Sequence, residues 1–86
     1  MDYGVITFTS THGAIYAQQV LKGVAPFVTM PVLREISKGC GISVRFSPED
    51  LEAVRSAIEA SDLLQTEFAF YAVTGSGKAL RADPIL

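Results

Sequence analysis

The chain has one cysteine, Cys40, set in Ser37-Lys38-Gly39-Cys40-Gly41. The thiolate is the nucleophilic form of this side chain, and nearby cations or a helix N-terminus favour it. Arg34 and Lys38 lie in the same stretch, and Gly39 and Gly41 place no side chains beside the sulfur. That leaves room for an incoming group. The chemistry open to such a thiol is sulfur transfer, disulfide exchange or oxidation to a sulfenic acid. A bland reading stands beside it: a free cysteine is often a small buried hydrophobe.

The one histidine, His12, follows Ser10 and Thr11. Its imidazole titrates near neutral pH, so it could shuttle a proton or support a thiolate; a surface or capping role is the alternative. Cys40 and His12 are only two good metal ligands, against four in a structural zinc site, so no metal is expected. No orienting acid or oxyanion hole accompanies the pair, so triad-type catalysis is not expected. Gly75-Ser76-Gly77-Lys78 lacks the spacing and the following Ser/Thr of a phosphate loop. Glu49, Asp50 and Glu52 read as helix-start charges rather than paired catalytic acids.

The elements that must position these groups follow from periodicity. Asp2 to Thr9 alternates as a strand, with Gly4, Ile6 and Phe8 on one face and Tyr3, Val5 and Thr7 on the other. Ser10 and Thr11 offer N-caps to a helix whose apolar stripe is Ala14, Ala17, Val20, Leu21 and Val24. Phe27 to Met30 is a short strand. Residues 31–41 form a connection longer than an ordinary hairpin loop. Ile42, Val44 and Phe46 alternate with Ser43, Arg45 and Ser47, a strand with one buried and one wet face. Ser47-Pro48-Glu49-Asp50 starts a second helix, with Ser47 as cap and Leu51, Val54 and Ile58 as its buried stripe. Glu67 to Val73 is the last strand.

This order, strand-helix-strand-strand-helix-strand, predicts an α+β, ferredoxin-like β-α-β-β-α-β sandwich. Its four-stranded antiparallel sheet would carry both helices on one face. Residues 1–74 form the single domain, and 75–86, rich in Gly, Ser and charge, read as a flexible C-terminal tail. The topology brings the 31–41 connection to the edge where the first helix begins, so Cys40 should share that edge with Ser10, Thr11 and His12. Tyr3, Val5, Tyr71 and Val73 should lie on the sheet face away from the helices as an apolar patch. A homodimer through this open face is the corresponding expectation.

Composition narrows the classes. Eighty-six residues suit one domain with one modest core, too small to enclose a large cofactor. A net charge of −2 without a polybasic stretch argues against nucleic acid as partner. A single cysteine excludes an internal disulfide and favours a reducing compartment. Neither a signal-peptide pattern nor an apolar run long enough for a bilayer is present, so a soluble, cytoplasmic protein is expected.

The stretch PVLREISKGCGISVRF, then SPEDLEAV, resembles the Se/S carrier protein-like family, short bacterial proteins that are otherwise a domain of unknown function. Pro31, Arg34, Glu35, Ile36, Ser37, Cys40, Gly41, Arg45 and Phe46 match its pattern, and FTSTHGAI also resembles the family. Leu33 replaces a second proline, Lys38 and Gly39 replace small hydroxyl residues, and the tail from Thr74 extends past the usual end. The resemblance covers roughly residues 3 to 73 and implies a persulfide or perselenide carried on Cys40. Arg34 and His12 would give electrostatic support, and Ser37 a loop hydrogen bond. Ser10, Thr11, Gly39 and Gly41 would complete the surroundings. The implied partners are a cysteine desulfurase and a sulfur or selenium acceptor; no cofactor is implied, and the protein would be an accessory rather than a self-sufficient enzyme. Two alternatives stay open: a non-catalytic dimeric interaction or regulatory module with a structural cysteine, and a small redox sensor.

An accessible, low-pKa Cys40 should alkylate with a pH midpoint below the ordinary free-thiol value. A midpoint at or above that value would remove the expectation.

Overall fold

The computed structural model describes residues 1–33, 36 and 41–85. Strand β1 spans Tyr3–Phe8, helix α1 Thr11–Leu21, β2 Phe27–Pro31, β3 Ile42–Phe46, α2 Leu51–Glu59, β4 Phe68–Thr74 and β5 Arg81–Pro84. The sheet order is β2-β3-β1-β4-β5, and every neighbouring pair is antiparallel. The class is α+β.

The alternation of β1 sorts its side chains onto two faces. Ile6 and Phe8 join Val44, Phe46 and Phe70 on one face, and Ala14, Ala17 and Leu21 of α1 and Val54 and Ile58 of α2 pack there too. Both helices therefore cover the same face. Each large apolar side chain buried here contributes about 1.5–3 kcal/mol. Phe70 meets Phe46 and Phe68 edge-to-face, with centroids 5.9 and 5.8 Å apart, the geometry aromatic quadrupoles favour. Val24, expected in the α1 stripe, is exposed instead, because it follows the left-handed turn at Gly23 that ends the helix.

Further expectations are corrected. The sheet has five strands, not four. Arg81-Ala82-Asp83-Pro84 has no apolar alternation, so nothing local marks it as a strand; tertiary contacts recruit it. β5 pairs with β4 from Tyr71↔Pro84 to Thr74↔Arg81. Leu80 and Ala82 pack under one face of the sheet and Ile85 under the other. Gly75 makes the preceding turn at φ 82°, where a Cβ would come within 2.5 Å of the Ala79 carbonyl oxygen.

The face away from the helices is not an open patch. Val5, Tyr71 and Val73 are buried in a second cluster with Ile36, and Tyr3, Val32 and Leu33 pack around it. The 31–41 connection thus supplies an apolar cover of its own, and the dimer expected there loses its ground. Ser43, expected on the wet side, is fully buried. Its hydroxyl donates to the carbonyl oxygens of Met30 at 3.2 Å and Pro31 at 3.4 Å, which satisfies a polar group at low exposure. Arg45 does stay outside, with its guanidinium 4.0 Å over the Tyr3 ring. At the second helix start, Ser47 precedes a 3-10 turn over Pro48–Asp50 and makes no side-chain cap bond.

Gly4 explains a tight point in the core. It pairs with Phe46 across β1 and β3, and a Cβ on residue 4 would overlap the Phe46 ring. Gly4→Ala should destabilise the fold by about 1–3 kcal/mol through overpacking, read from the urea midpoint at unchanged m-value.

Candidate functional site

The site is built at one end of the sheet. Thr7 of β1 pairs with Ser43 of β3, so the chain enters β3 through Gly41 and Ile42 at the end where β1 leaves towards Ser10. The start of α1 and the base of the 31–41 connection therefore share that end.

On the α1 side, Ser10 is extended at φ −144° and ψ 155°, and its hydroxyl oxygen accepts from the Gly13 N–H at 3.0 Å. This is the N-cap its residue type predicts, and it satisfies one of the free N–H groups of the first turn. No acidic side chain occupies that turn. Thr11 and His12 are exposed. Ser10, His12, Gly13 and Tyr16 line a depression of about 270 Å³ together with Asp62, Leu63 and Glu67. The far wall is held by backbone contacts. Tyr16 Oη accepts from the Asp62 N–H at 3.1 Å, and Glu67 Oε1 accepts from the Leu64 N–H at 2.8 Å. Sequence reasoning did not find Tyr16, Asp62 or Glu67. They are distant in the chain from His12 or carry no motif, and only the docking of α1 against the segment after α2 brings them together. Among the described residues no group of three His, Cys, Asp or Glu side chains could hold a metal ion.

On the connection side, the Val32 N–H donates to the Gly41 carbonyl at 3.1 Å, which closes the base. Gly41 is exposed, and a Cβ there would meet nothing within 4 Å. Gly41 lines a second depression of about 340 Å³ with Gln18, Thr29, Met30, Pro31 and Ile42. Midway along, Ile36 donates its N–H to the Leu33 carbonyl at 3.0 Å and is 6% exposed against Val5, Tyr71 and Val73. Cys40, Arg34, Ser37 and Gly39 lie outside the described residues, as do Glu35 and Lys38. The described part of the site thus has Ser10 and His12 in one depression and Gly41 in another, at the same end of the sheet.

A family model described as "Putative Se/S carrier protein-like" matches residues 3–69. The chain belongs to this family. The matched segment runs from the first residue of β1 into β4 and includes the whole cysteine-bearing connection. β5 lies beyond it. No curated protein and no solved structure matches the chain. Within the segment that matches the Se/S carrier-like family, Ile36 covers the second cluster, Phe46 fills the space over Gly4, and Arg45 stacks on Tyr3.

Ile36 joins the connection to the core, so its truncation should be felt by the whole fold. Ile36→Ala should cost about 2–5 kcal/mol, the range for emptying a buried aliphatic site. Chemical denaturation checks it, and a loss below about 0.5 kcal/mol, the range of ordinary surface changes, would contradict the anchoring role.

Proposed function

We propose that this protein carries sulfur or selenium as a persulfide or perselenide on Cys40. The observation that carries the reading is the family match, which spans the connection holding the chain's single cysteine. The Cys40 thiolate attacks the terminal sulfur of a donor's cysteine persulfide. The donor S–S bond breaks, the donor thiolate leaves, and a new S–S bond forms on Cys40; the sulfane sulfur keeps its oxidation level. Attack by an acceptor thiolate on the same terminal sulfur reverses the roles. The selenium version passes a selenium atom through the same displacement.

In this reading Arg34 and His12 support the thiolate electrostatically, and Ser37 hydrogen-bonds within the connection. Gly39 and Gly41 keep the approach clear, and Ser10 and Thr11 present the start of α1. The protein is an accessory that depends on a donor enzyme, such as a cysteine desulfurase, and on an acceptor protein. A thiol carrier works in a reducing compartment, which favours the cytoplasm. The shallow depressions at the sheet end suit docking of a partner's surface better than enclosure of a cofactor. The strand order β2-β3-β1-β4, with a helix after β1 and another after β3, supports reading the core as ferredoxin-like with β5 added.

Incubation with a cysteine desulfurase and cysteine should add about 32 Da per sulfur atom, and a selenium donor about 79 Da. The adduct should be removed by thiol reductant and absent from Cys40→Ala. No adduct on a folded protein, with Cys40 resistant to alkylation, would overturn the carrier and leave an interaction module with a structural cysteine.

A further inference from the structure

Arg45, Arg55 and Arg81 are the arginines among the described residues, and two of them are already paired. Arg55 meets Glu52 and Glu59 on α2, and Arg81 meets Asp83 on β5. Arg45 of β3 pairs with no carboxylate among the described residues, and its side chain donates no hydrogen bond there. Its guanidinium lies 4.0 Å over the Tyr3 ring instead. Tyr3 is itself packed against the second cluster, which holds Val5 and Val73. The stack occupies one flat face of the guanidinium and fixes its plane. The N–H groups along its edge stay free, in the planar fork that a carboxylate matches with two parallel bonds. Holding the fork in place beforehand removes part of the ordering cost of binding.

The surroundings of Arg45 add an apolar half. Val28 is its cross-strand neighbour on β2 and is 62% exposed. Pro26, Phe27, Val28, Phe46 and Ser47 line a depression of about 290 Å³ together with Arg45. Most of that lining is apolar, and the volume admits one large aliphatic side chain. The Ser47 hydroxyl, which makes no cap bond, supplies a second polar group. Val5, the other cross-strand neighbour of Arg45, belongs to the cluster that Ile36 covers. The surface thus borders the cysteine-bearing connection, and Arg45 is about 13 Å along β3 from Gly41. A partner occupying an interface of ordinary size reaches both.

We propose that Arg45 and this depression dock an acidic segment of a partner protein. A carboxylate side chain of the partner takes the edge of the guanidinium, and an adjacent apolar side chain packs against Val28 and Phe27. The free guanidinium selects for a carboxylate and against a basic segment. The apolar lining selects for a protein segment over an inorganic anion, which would leave Val28 in water. Arginine and tyrosine beside a small apolar pocket are the residues that carry binding energy at protein interfaces.

The test is a titration of the full chain with two blocked dipeptides, acetyl-Leu-Glu-amide and acetyl-Leu-Gln-amide, followed by NMR at the backbone amides and the Arg45 Nε–H. The acidic peptide should move the Val28, Phe46 and Ser47 amides and the Arg45 Nε–H, and bind about fivefold or more tighter than its amide twin. Arg45→Gln should erase that difference. Val28→Asp keeps the stack on Tyr3 and sets a carboxylate against the incoming one, so it should erase the difference as well. Arg81→Gln, on a guanidinium already paired with Asp83, should bind like the parent. Cys40→Ala should also bind like the parent, which separates this surface from the carrier reading. Equal binding of the two peptides overturns the proposal. So does a preference that survives Arg45→Gln, or the same set of shifts produced by inorganic phosphate at equal concentration, which would make Arg45 a general anion contact.

Discussion

β1 exchanges backbone hydrogen bonds with β3 on one side and β4 on the other, and every residue from Gly4 to Phe8 is buried. Its two faces feed two clusters. Ile6 and Phe8 supply the helix side and Val5 the opposite side. A strand covered on both faces cannot slip by one residue without moving every side chain into the wrong cluster. Gly4 tightens this further, because only a residue without Cβ lets Phe46 lie over it. Register, helix placement and the level at which β3 begins all follow from that one strand. The end of β1 then sets where Ser10 caps α1, and the pairing of Thr7 with Ser43 sets where the cysteine-bearing connection returns to the sheet.

Among the described residues the connection is held by two kinds of contact with different physical character. Its base is polar: the Val32–Gly41 backbone bond and the buried Ser43 hydroxyl tie β2 to β3 where ladder pairing stops. Its middle is apolar: Ile36 covers Val5, Tyr71 and Val73. A small domain has few residues to spare for a second core, and here the connection that bears the single cysteine also supplies the cover. Position and stability are coupled through Ile36. This also accounts for an aliphatic residue in a stretch otherwise rich in glycine and charge.

Most elements were legible because their signals are local. The alternation of Tyr3–Phe8 and Ile42–Phe46, the cap at Ser10 and the stripe of Val54 and Ile58 each state one element within a few residues. What sequence could not show depends on pairing at a distance. β5 is recruited by Leu80, Ala82 and Ile85 finding two separate clusters, and no propensity in Arg-Ala-Asp-Pro announces it. The depth of Ser43 depends on the Met30 and Pro31 carbonyls, not on its own neighbours in the chain. Of the site, the shared sheet end was readable from element order alone. The wall of Tyr16, Asp62 and Glu67 beside His12 was not, because α1 meets the segment after α2 only in the folded protein.

The family match stops at residue 69, so β5 and its turn lie outside the matched segment. Their effect on the sheet can be argued from edges. Without β5, β4 would present unpaired backbone groups at its margin, open to strand addition. β5 ends in proline and carries an exposed ion pair between Arg81 and Asp83, so it occupies the β4 edge with a strand that is itself a poor template. The residues past Thr74 thus cover the β4 edge, at the margin away from β2, which runs directly into the cysteine-bearing connection.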